Sequence, residues 1–342
     1  MINDFLTKFL SKNPIMDDYG LKYNHTFSEE ILKIKDNYSV SQLSNKVLIR
    51  CSGDGLEDFL NSQFTNDIKK LNKEKILLCG YCNPKGRLIS VFYIFQLDKD
   101  YYLYTTLDSK DLLLKKLNMY KMALKIEFMP LDNILIGISN INLNQKIPFD
   151  DLKENKVIKL ENSIIFMPYD NYAIISTNSE EFDKNLYIDN LSLLGYKSSD
   201  FFDIDHHTPF ITSSFIETYT PQMLSLDILN GVSFEKGCYP GQEIVARTHY
   251  LGEAKKSLFK FYINSNADLD TSKKIHNEER KVAGDILNII KIDESNYFCL
   301  GVLRKEFSSK KLYVDPDSLV ANVKGCLLYT SDAADEKVRV GV

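Results

Sequence analysis

The sequence predicts an α+β fold followed by a small, separate β-domain. Strand-like and helix-like segments alternate irregularly along the first 250 residues, and neighbouring strands form antiparallel-looking pairs, which argues against a doubly wound parallel sheet. From about Lys256 onward the chain changes to short strands. A chain of 342 residues with 44% apolar and 12% aromatic composition can bury a large core and form two or three domains.

The first helix is predicted over residues 55–66. Asp54 followed three residues later by Glu57 is a helix N-terminal signal, and apolar side chains then recur at helical spacing. Those apolar side chains are Leu56, Phe59, Leu60 and Phe64. Runs of β-branched and aromatic residues at Leu88–Leu97 and Tyr101–Leu107, separated by three charged residues, then predict a β-hairpin.

The middle of the chain continues with a helix, a strand and a loop. Asp108 is the predicted cap of a helix that runs to about Met122, and a strand follows at Ile134–Ile138. The lysine- and asparagine-rich stretch 140–157 predicts a loop, at which the body could divide into two subdomains.

A second hairpin and a second long helix complete the predicted body. The hairpin joins Ile164–Met167 to Tyr172–Thr177, and the helix runs from about Ser179 to Leu194. We therefore expect residues 1–250 to form the body and residues 251–325 to form the β-domain. The strands of that β-domain are predicted at Ser257–Ile263, Lys281–Ile292, Tyr297–Leu303 and Leu319–Val323.

Residues 326–342 are expected to be a non-native tail. The segment CLLYTSDAADE, Cys326–Glu336, resembles the translation of a sequencing adapter, and no clear hydrophobic periodicity runs through it. The tail is therefore assigned to neither predicted domain.

Composition narrows the classes of function. No run of about 18 apolar residues is present and the first residues include acidic and polar side chains, so we expect a soluble, cytoplasmic protein without a membrane partner. Six cysteines are too sparse for a disulfide scaffold, which fits a reducing compartment. The formal net charge of -5 gives no general attraction to nucleic acid. Three lysines are interpreted as a solvated face rather than a polyanion site: Lys255, Lys256 and Lys260.

The most informative segment is KGCYPGQE, residues 236–243, which encloses a cysteine in a charged, glycine-flanked turn. Gly237 and Gly241 permit backbone geometry that a side chain would forbid. We expect the ammonium of Lys236 to lie near the sulfur of Cys238 and to favour its thiolate form. The alternative is a buried cysteine that fills apolar space at a strand end.

Other candidate chemistry in the sequence is weaker. Cys79 and Cys82 form a CxxC pair, but no second pair follows at zinc spacing, and we expect at least one of the two sulfurs to be buried. The acidic and histidine residues within 203–207 are interpreted as a polar loop, because their spacing places them on no common face that could hold an ion. His249 is a candidate base for Cys238, although closeness in the chain alone does not make a nucleophile–base pair. No dinucleotide-binding or P-loop glycine motif is present.

The cysteine segment and its continuation IVARTHYLG, which ends at Gly252, closely resemble the signature of the YgfZ family. Members of that family are folate-binding proteins related in fold to the aminomethyltransferase, or T-protein, of the glycine cleavage system. Three further segments carry the resemblance, which covers roughly residues 40–255. They are LIRCSGDGLEDFLNSQFTNDI at Leu48–Ile68, CNPKGRLIS at Cys82–Ser90 and TPQMLSLDILNGVSF at Thr220–Phe234.

The resemblance implies a GcvT-like body of interlocked ferredoxin-like units with a central channel, and a small C-terminal β-barrel. It implies a protein that binds tetrahydrofolate or a related folate and supports the assembly or repair of iron–sulfur clusters, including those of tRNA-methylthiolating enzymes. Because the chain has no Trp, stacking on the pterin must come from Tyr or Phe. Cys238 would be the reactive or cluster-contacting thiol, and Lys236 its electrostatic partner. The residues carried over to the folate are Asp67, Lys85, Arg87, Asp227, Tyr239, Gln242, Glu243 and Arg247; no metal ligand is assigned.

Two alternatives stay open on the sequence. A tetrahydrofolate-dependent aminomethyl or one-carbon transferase would use Cys238 only as a structural residue. A noncatalytic interaction module would keep its function after Cys238→Ala. Glycine-cleavage T-proteins use an acidic residue in the transfer and lack the cysteine motif, so the resemblance favours the iron–sulfur role with iron–sulfur assembly or client proteins as partners.

Overall fold

The fold combines two large β-sheets, a two-stranded sheet formed by Ile15–Asp17 and Gly20–Lys22, several helices and a C-terminal barrel, as seen in a computed structural model. The structure describes residues 15–17, 20–22, 29, 39–71, 75–139, 154–160, 163–178, 192–314 and 319–325. Helices with both ends described are α1 (Leu56–Gln63), α2 (Leu107–Tyr120), α3 (Ser198–Asp205) and α4 (Gln242–Leu251). Among the described residues, no helix is both long and apolar enough to span a bilayer.

The strands form four runs along the chain, separated by α2, by residues 140–156, and by α3 with α4; these runs do not coincide with the sheets. The first run comprises β1 (Ile15–Asp17), β2 (Gly20–Lys22), β3 (Ser39–Gln42), β4 (Lys46–Gly53), β5 (Ile76–Cys82), β6 (Leu88–Leu97) and β7 (Asp100–Thr106). The second comprises β8 (Ile126–Pro130) and β9 (Ile134–Ser139). The third comprises β10 (Val157–Leu160), β11 (Ser163–Tyr169), β12 (Tyr172–Thr177) and β13 (Ser192–Leu194). The last comprises β14 (Lys256–Asn264), β15 (Lys274–Asn277), β16 (Val282–Lys291), β17 (Asn296–Arg304), β18 (Leu312–Tyr313) and β19 (Leu319–Gly325).

Two sheets form the body, and the side chains of β6 show how they pack. One sheet is fully antiparallel with the order β5-β6-β7-β4-β8, and the other has the order β10-β11-β12-β9-β3-β13. Along β6, Val91, Tyr93 and Phe95 belong to the core shared with the second sheet, while Phe92 and Ile94 join the core beneath α1 and α2. This alternation follows from the two-residue period of a strand. The first sheet is therefore apolar on both faces.

Aromatic rings join the two sheets. The ring centroid of Phe166 on β11 lies 4.9 Å from that of Phe95 and 5.2 Å from that of Tyr104 on β7. In the second sheet, Phe202 of α3 stacks on Tyr172 of β12 at 4.0 Å. Such ring pairs stabilise the interface beyond the burial of their area alone.

The C-terminal strands close into a barrel with the order β14-β17-β16-β15-β18-β19. Buried side chains from facing strands, including Phe261, Ile286 and Leu312, fill its interior. The predicted α+β architecture with a C-terminal β-barrel is confirmed. Closure removes the unpaired strand edges that a small open sheet would expose.

Several predicted elements agree with the structure and others do not. Both hairpins, the first helix and the helix after Thr106 are present, with ends shifted by a few residues. The predicted helix 179–194 is wrong at its end, because Ser192–Leu194 forms β13, which pairs in parallel with β3. Residues 179–191, most of the stretch 140–157 and the whole tail 326–342 lie outside the described residues.

The interpretation of residues 203–207 as a polar loop is wrong for residues 203–205, which end α3, whereas His206 and His207 lie in the turn that follows. Asp203 lies in α3, is buried, and accepts hydrogen bonds from Nζ of Lys46 at 2.5 Å and from the hydroxyl of Tyr169 at 2.7 Å. The ammonium of Lys46 also lies 4.2 Å from the centre of the Phe210 ring. This carboxylate therefore pairs with a buried cation that enters from β4, and its two bonds connect α3 to both sheets.

The three lysines near the start of the barrel separate in the structure. Lys256 pairs with Asp285 at 3.5 Å and Lys260 with Asp205 at 2.7 Å, whereas Lys255 is exposed. Two of the three charges are thus matched by a carboxylate, and the three form no common polyanion site.

Candidate functional site

A buried lysine joins the cysteine loop to the end of α1. Lys236 is 8% exposed and donates hydrogen bonds from Nζ to the carbonyls of Asn61, Phe64 at 2.6 Å and Asn66 at 3.1 Å. The last carbonyls of a helix have no donor within the helix, so an ammonium there satisfies them and meets the negative end of the helix dipole. The loop is therefore fastened to the body two residues before Cys238.

The buried thiol of Cys79 acts on the charge of Lys236. Burial lowers the pKa of Lys236 to about 8, and the nearby Cys79 and Asp67 side chains oppose that shift. The ammonium lies 5.2 Å from the centre of the Tyr239 ring. Nζ of Lys236 thus bonds to backbone carbonyls and lies near the Cys79 thiol, and its expected electrostatic effect on Cys238 stays a prediction.

The two glycine-containing turns of the sequence motifs contact each other directly. A Cβ added at Gly241 would lie 2.6 Å from the carbonyl oxygen of Asn83 and 2.6 Å from the backbone nitrogen of Gly86. The φ angles are +81° at Gly241 and +69° at Gly86, where a side chain is also strained. The side chain of Asn83 closes its own turn by accepting from the backbone N–H groups of Lys85 at 2.9 Å and Arg87 at 3.0 Å. The fold therefore brings the two motifs together.

Among the cysteines that the structure describes, Cys238 is the accessible one. Cys51, Cys79, Cys82 and Cys299 are buried, and all five are free thiols. Burial raises the pKa of the Cys79 thiol to about 12 and also raises that of Cys82. The prediction that at least one sulfur of the CxxC pair is buried is confirmed, since both are. Within the described ranges, no cluster of three or more His, Cys, Asp or Glu side chains could hold a metal ion.

Helix α4 begins directly after the cysteine loop, and sequence reasoning missed it. Its N-cap is Gly241, which offers no side-chain cap and hence no start signal. Val245 is buried, and its carbonyl accepts a 2.7 Å hydrogen bond from Nε2 of Gln222. The side chain of Gln242 turns back and donates to the carbonyl of Lys236 at 3.4 Å. Helix α4 thus connects the loop to the 3-10 turn that contains Gln222.

Three buried polar atoms around α4 have no hydrogen-bond partner among the described residues. They are Oδ1 of Asp227, Oε1 of Gln222 and the hydroxyl oxygen of Tyr239. Burial raises the pKa of the Asp227 carboxyl, while backbone N–H groups and the nearby His249 oppose the rise. Buried polar atoms are nearly always paired in folded proteins, so each of these oxygens is an acceptor that suits an N–H donor of a ligand.

Aromatic side chains gather at the other end of α4. His249 stacks on Phe234 with ring centroids 3.7 Å apart, and Tyr250 lies 4.8 Å from His249. These ring contacts are on the Asp227 side of the helix, and no described contact joins His249 to Cys238. Sequence reasoning did not identify Phe234 or Tyr250, because neither belongs to a pattern with a chemical meaning.

The other predicted folate contacts divide into two groups. Two of them are engaged in local structure: Nη1 of Arg87 donates to the carbonyl of Thr218 at 2.7 Å, and Asp67 accepts from the N–H of Lys69 at 3.2 Å. The remaining ones are exposed around the cysteine loop and α4, namely Lys85, Glu243 and Arg247.

The architecture defines the class of fold to which the chain belongs. The structure is similar to the glycine cleavage system aminomethyltransferase T of Bartonella henselae, with a TM-score of 0.75 over 92% of this chain and 94% of that one. The two sequences are 11% identical, so the likeness concerns the fold alone. The protein therefore has the aminomethyltransferase, or GcvT-like, fold.

Sequence relatives narrow the class to one family. The tRNA-modifying protein YgfZ of Blochmanniella pennsylvanica is 30% identical over 286 residues, which are 79% of this chain and 82% of that protein. The YgfZ of Vibrio vulnificus is 28% identical over 224 residues, 65% of this chain and 69% of its own. That of Aliivibrio fischeri is 24% identical over 292 residues, 84% and 92% respectively. No family model matches the chain. The chain belongs to the YgfZ family.

The contact between the two glycine turns predicts that alanine substitutions at Gly241 and at Gly237 differ in their effect on stability. Gly241→Ala should lower the free energy of unfolding by about 2 kcal/mol, since the new Cβ meets backbone atoms and the left-handed φ is strained. Gly237→Ala, in the same loop, places its Cβ in open space and should change stability by less than about 0.5 kcal/mol. Urea unfolding of the two variants measures both effects. Equal stabilities would contradict the contact.

The carbonyl-bound lysine predicts a pH dependence of stability. The folded-state pKa of Lys236 is about 8 against an ordinary 10.5, so between these pH values the unfolded chain binds more protons and stability rises with pH. Lys236→Met removes this dependence. The unfolding free energy of the wild type minus that of Lys236→Met should therefore rise from pH 8 to pH 10.5, as measured by urea titration at each pH. A constant difference across this range would contradict the buried position of the ammonium.

Proposed function

We propose that this protein binds tetrahydrofolate or a related folate and supports tRNA modification by maintaining iron–sulfur clusters, with Cys238 as the reactive thiol. Membership of the YgfZ family supports the link to tRNA modification, because the relatives are named as tRNA-modifying proteins. The observation that carries the proposal is the exposed Cys238 in a loop fixed by Lys236 and by the Gly86–Gly241 contact.

The residues around α4 fit a folate. A reduced pterin has ring N–H and amino groups, and the unpaired oxygens of Asp227, Gln222 and Tyr239 are acceptors for such donors. When bound, a tetrahydrofolate would supply a one-carbon carrier or a reducing pterin. Asp227 would hold the donor edge of the ring, and the raised pKa of its carboxyl reflects a burial that such a ligand would extend.

The exposed cations have a separate role in this proposal. A folate carries carboxylates on its glutamate tail, and Lys85 and Arg247 lie at the surface around the cysteine loop, where they would attract these groups. Gln242 and Glu243, in the first turn of α4, would then position the loop and the tail. Arg87 and Asp67 would hold the surrounding backbone, since both already bond to backbone groups.

The thiol of Cys238 is suited to contact a cluster or a sulfur donor on another protein. Only an accessible cysteine can reach a group on a second molecule, and the buried cysteines are protected from that chemistry. Lys236 acts in this proposal by fixing the loop, because its ammonium is bound to carbonyls. We place this chemistry in the cytoplasm, since all five described cysteines are free thiols, as in a reducing compartment.

Genetic rescue tests the proposed function. The full chain should restore methylthiolated tRNA in a bacterium that lacks its own YgfZ, while Cys238→Ala should restore less than about a tenth of that level, because the thiol acts directly. Met129→Ala, a change at an exposed residue of β8, is the matched control and should rescue fully. Thermal unfolding of each purified variant checks that it is folded.

The outcomes of this rescue separate the alternatives. Equal rescue by wild type and Cys238→Ala would reduce Cys238 to a structural residue. Failure of the folded wild-type protein to rescue would count against the iron–sulfur role and would direct attention to one-carbon transfer from an aminomethyl donor.

A further inference from the structure

The outer face of α4 exposes large apolar side chains beside the candidate site. Ile244 is 41% exposed, Tyr250 66% and Leu251 81%. Single exposed apolar residues are ordinary, but a cluster on one short helix next to a candidate site is typical of an interaction surface. The inner face of the same helix is different, since it carries the buried Val245.

Helical geometry places Ile244 and Leu251 in one stripe, whereas Tyr250 lies about 120° around the helix from Ile244. Ile244 and Leu251 are seven residues apart, which is two turns and roughly 10 Å along the same face. Arg247 lies between them on that face. The stripe begins at the glycine turns, because a Cβ on Gly86 would lie 3.1 Å from Cβ of Ile244. It therefore adjoins the loop that carries Cys238.

The charges that border the stripe are mainly positive. Lys85, Arg247 and Lys255 are exposed, and no described carboxylate of the chain pairs with them. A bound folate tail would engage Lys85 and Arg247, so Lys255 is the cation that stays available to a partner when folate is bound. Glu253 is bound by Lys305. In the first turn of α4, Glu243 is the carboxylate that opposes the three cations.

We propose that this stripe, together with Lys255, is the docking surface for the iron–sulfur client protein, which binds through an apolar segment flanked by carboxylates. This inference rests on the proposed function. Docking here would bring the client's cluster or sulfur donor near Cys238, because the cysteine loop leads directly into α4.

Charge decides between this occupant and two others. A second copy of the chain would bring the same cations face to face in a two-fold interface, and like charges in such an interface are unfavourable. An RNA backbone would pair with the cations but would leave the aliphatic side chains Ile244 and Leu251 without partners. A protein segment with carboxylates around apolar side chains satisfies both parts of the surface.

A direct binding measurement tests the docking surface. The probe is the purified tRNA-methylthiolating enzyme with its iron–sulfur clusters reconstituted, titrated against the full chain by biolayer interferometry. Leu251→Ser and Lys255→Glu should each weaken binding by at least about fivefold, since one removes a central apolar contact and the other reverses a charge at the edge. Added salt should weaken binding of the wild type more than that of Lys255→Glu.

Matched controls come from the opposite edge of the first sheet. Met129→Ser and Lys125→Glu repeat the same chemical changes at exposed positions on and beside β8, four strands from β5 and roughly 19 Å away by strand spacing. Both should bind like the wild type.

Three results would overturn the inference. They are no binding by the wild type, equal binding by Leu251→Ser and wild type, or an equal loss in the Met129→Ser control. Titration of each variant with tetrahydrofolate distinguishes failure of the docking surface from failure of the proposed function. Retained folate binding with lost client binding leaves the proposed function intact, whereas a wild type that binds no folate removes the folate part of it.

Discussion

The cysteine loop depends on one buried ammonium. Nζ of Lys236 bonds to the carbonyls of Asn61, Phe64 and Asn66, which belong to the end of α1 and the residues just after it. A buried lysine costs desolvation energy, and three carbonyls at the negative end of a helix offset that cost. Because the lysine is two residues before Cys238, the same interaction that satisfies the helix end also fixes the thiol's position.

The second constraint is steric. Gly241 and Gly86 allow two turns to approach more closely than any Cβ would permit, and this approach sets the start of α4. Helix α4 then contacts two residues with an acceptor oxygen that is unpaired among the described residues. The Val245 carbonyl accepts a hydrogen bond from Gln222, and His249 lies near Asp227. Helix α4 thus follows the loop that carries the accessible thiol and contacts Gln222 and the surroundings of Asp227.

The elements that sequence reasoning predicted are those whose signals are local. The hairpin of β6 and β7 follows from residue types and a charged turn, and the barrel strands follow from similar short runs. Helix α4 was missed because Gly241 replaces a capping side chain. Ser192–Leu194 was assigned to a helix because its pairing with β3, more than 150 residues earlier in the chain, has no local signal.

The same limit applies to the site residues. The cysteine motif was found as a motif, but the partner of Lys236 was not, since its carbonyls come from residues about 170 positions earlier. Asp203 was interpreted as part of a loop because its buried partner Lys46 is 157 residues away. The local sequence predicts the hydrogen-bond and ion-pair partners of a residue only when those partners are close to it in the chain.

The rate of alkylation of Cys238 tests the central claim most directly, because that claim places the accessible thiol and the folate acceptors at one site. The native protein is treated with iodoacetamide, with and without saturating tetrahydrofolate, and each cysteine is quantified by mass spectrometry. The account predicts that Cys238 is labelled before the buried cysteines and that the folate slows its labelling several-fold. An unchanged rate with folate bound, or earlier labelling of Cys79 or Cys82, would contradict it.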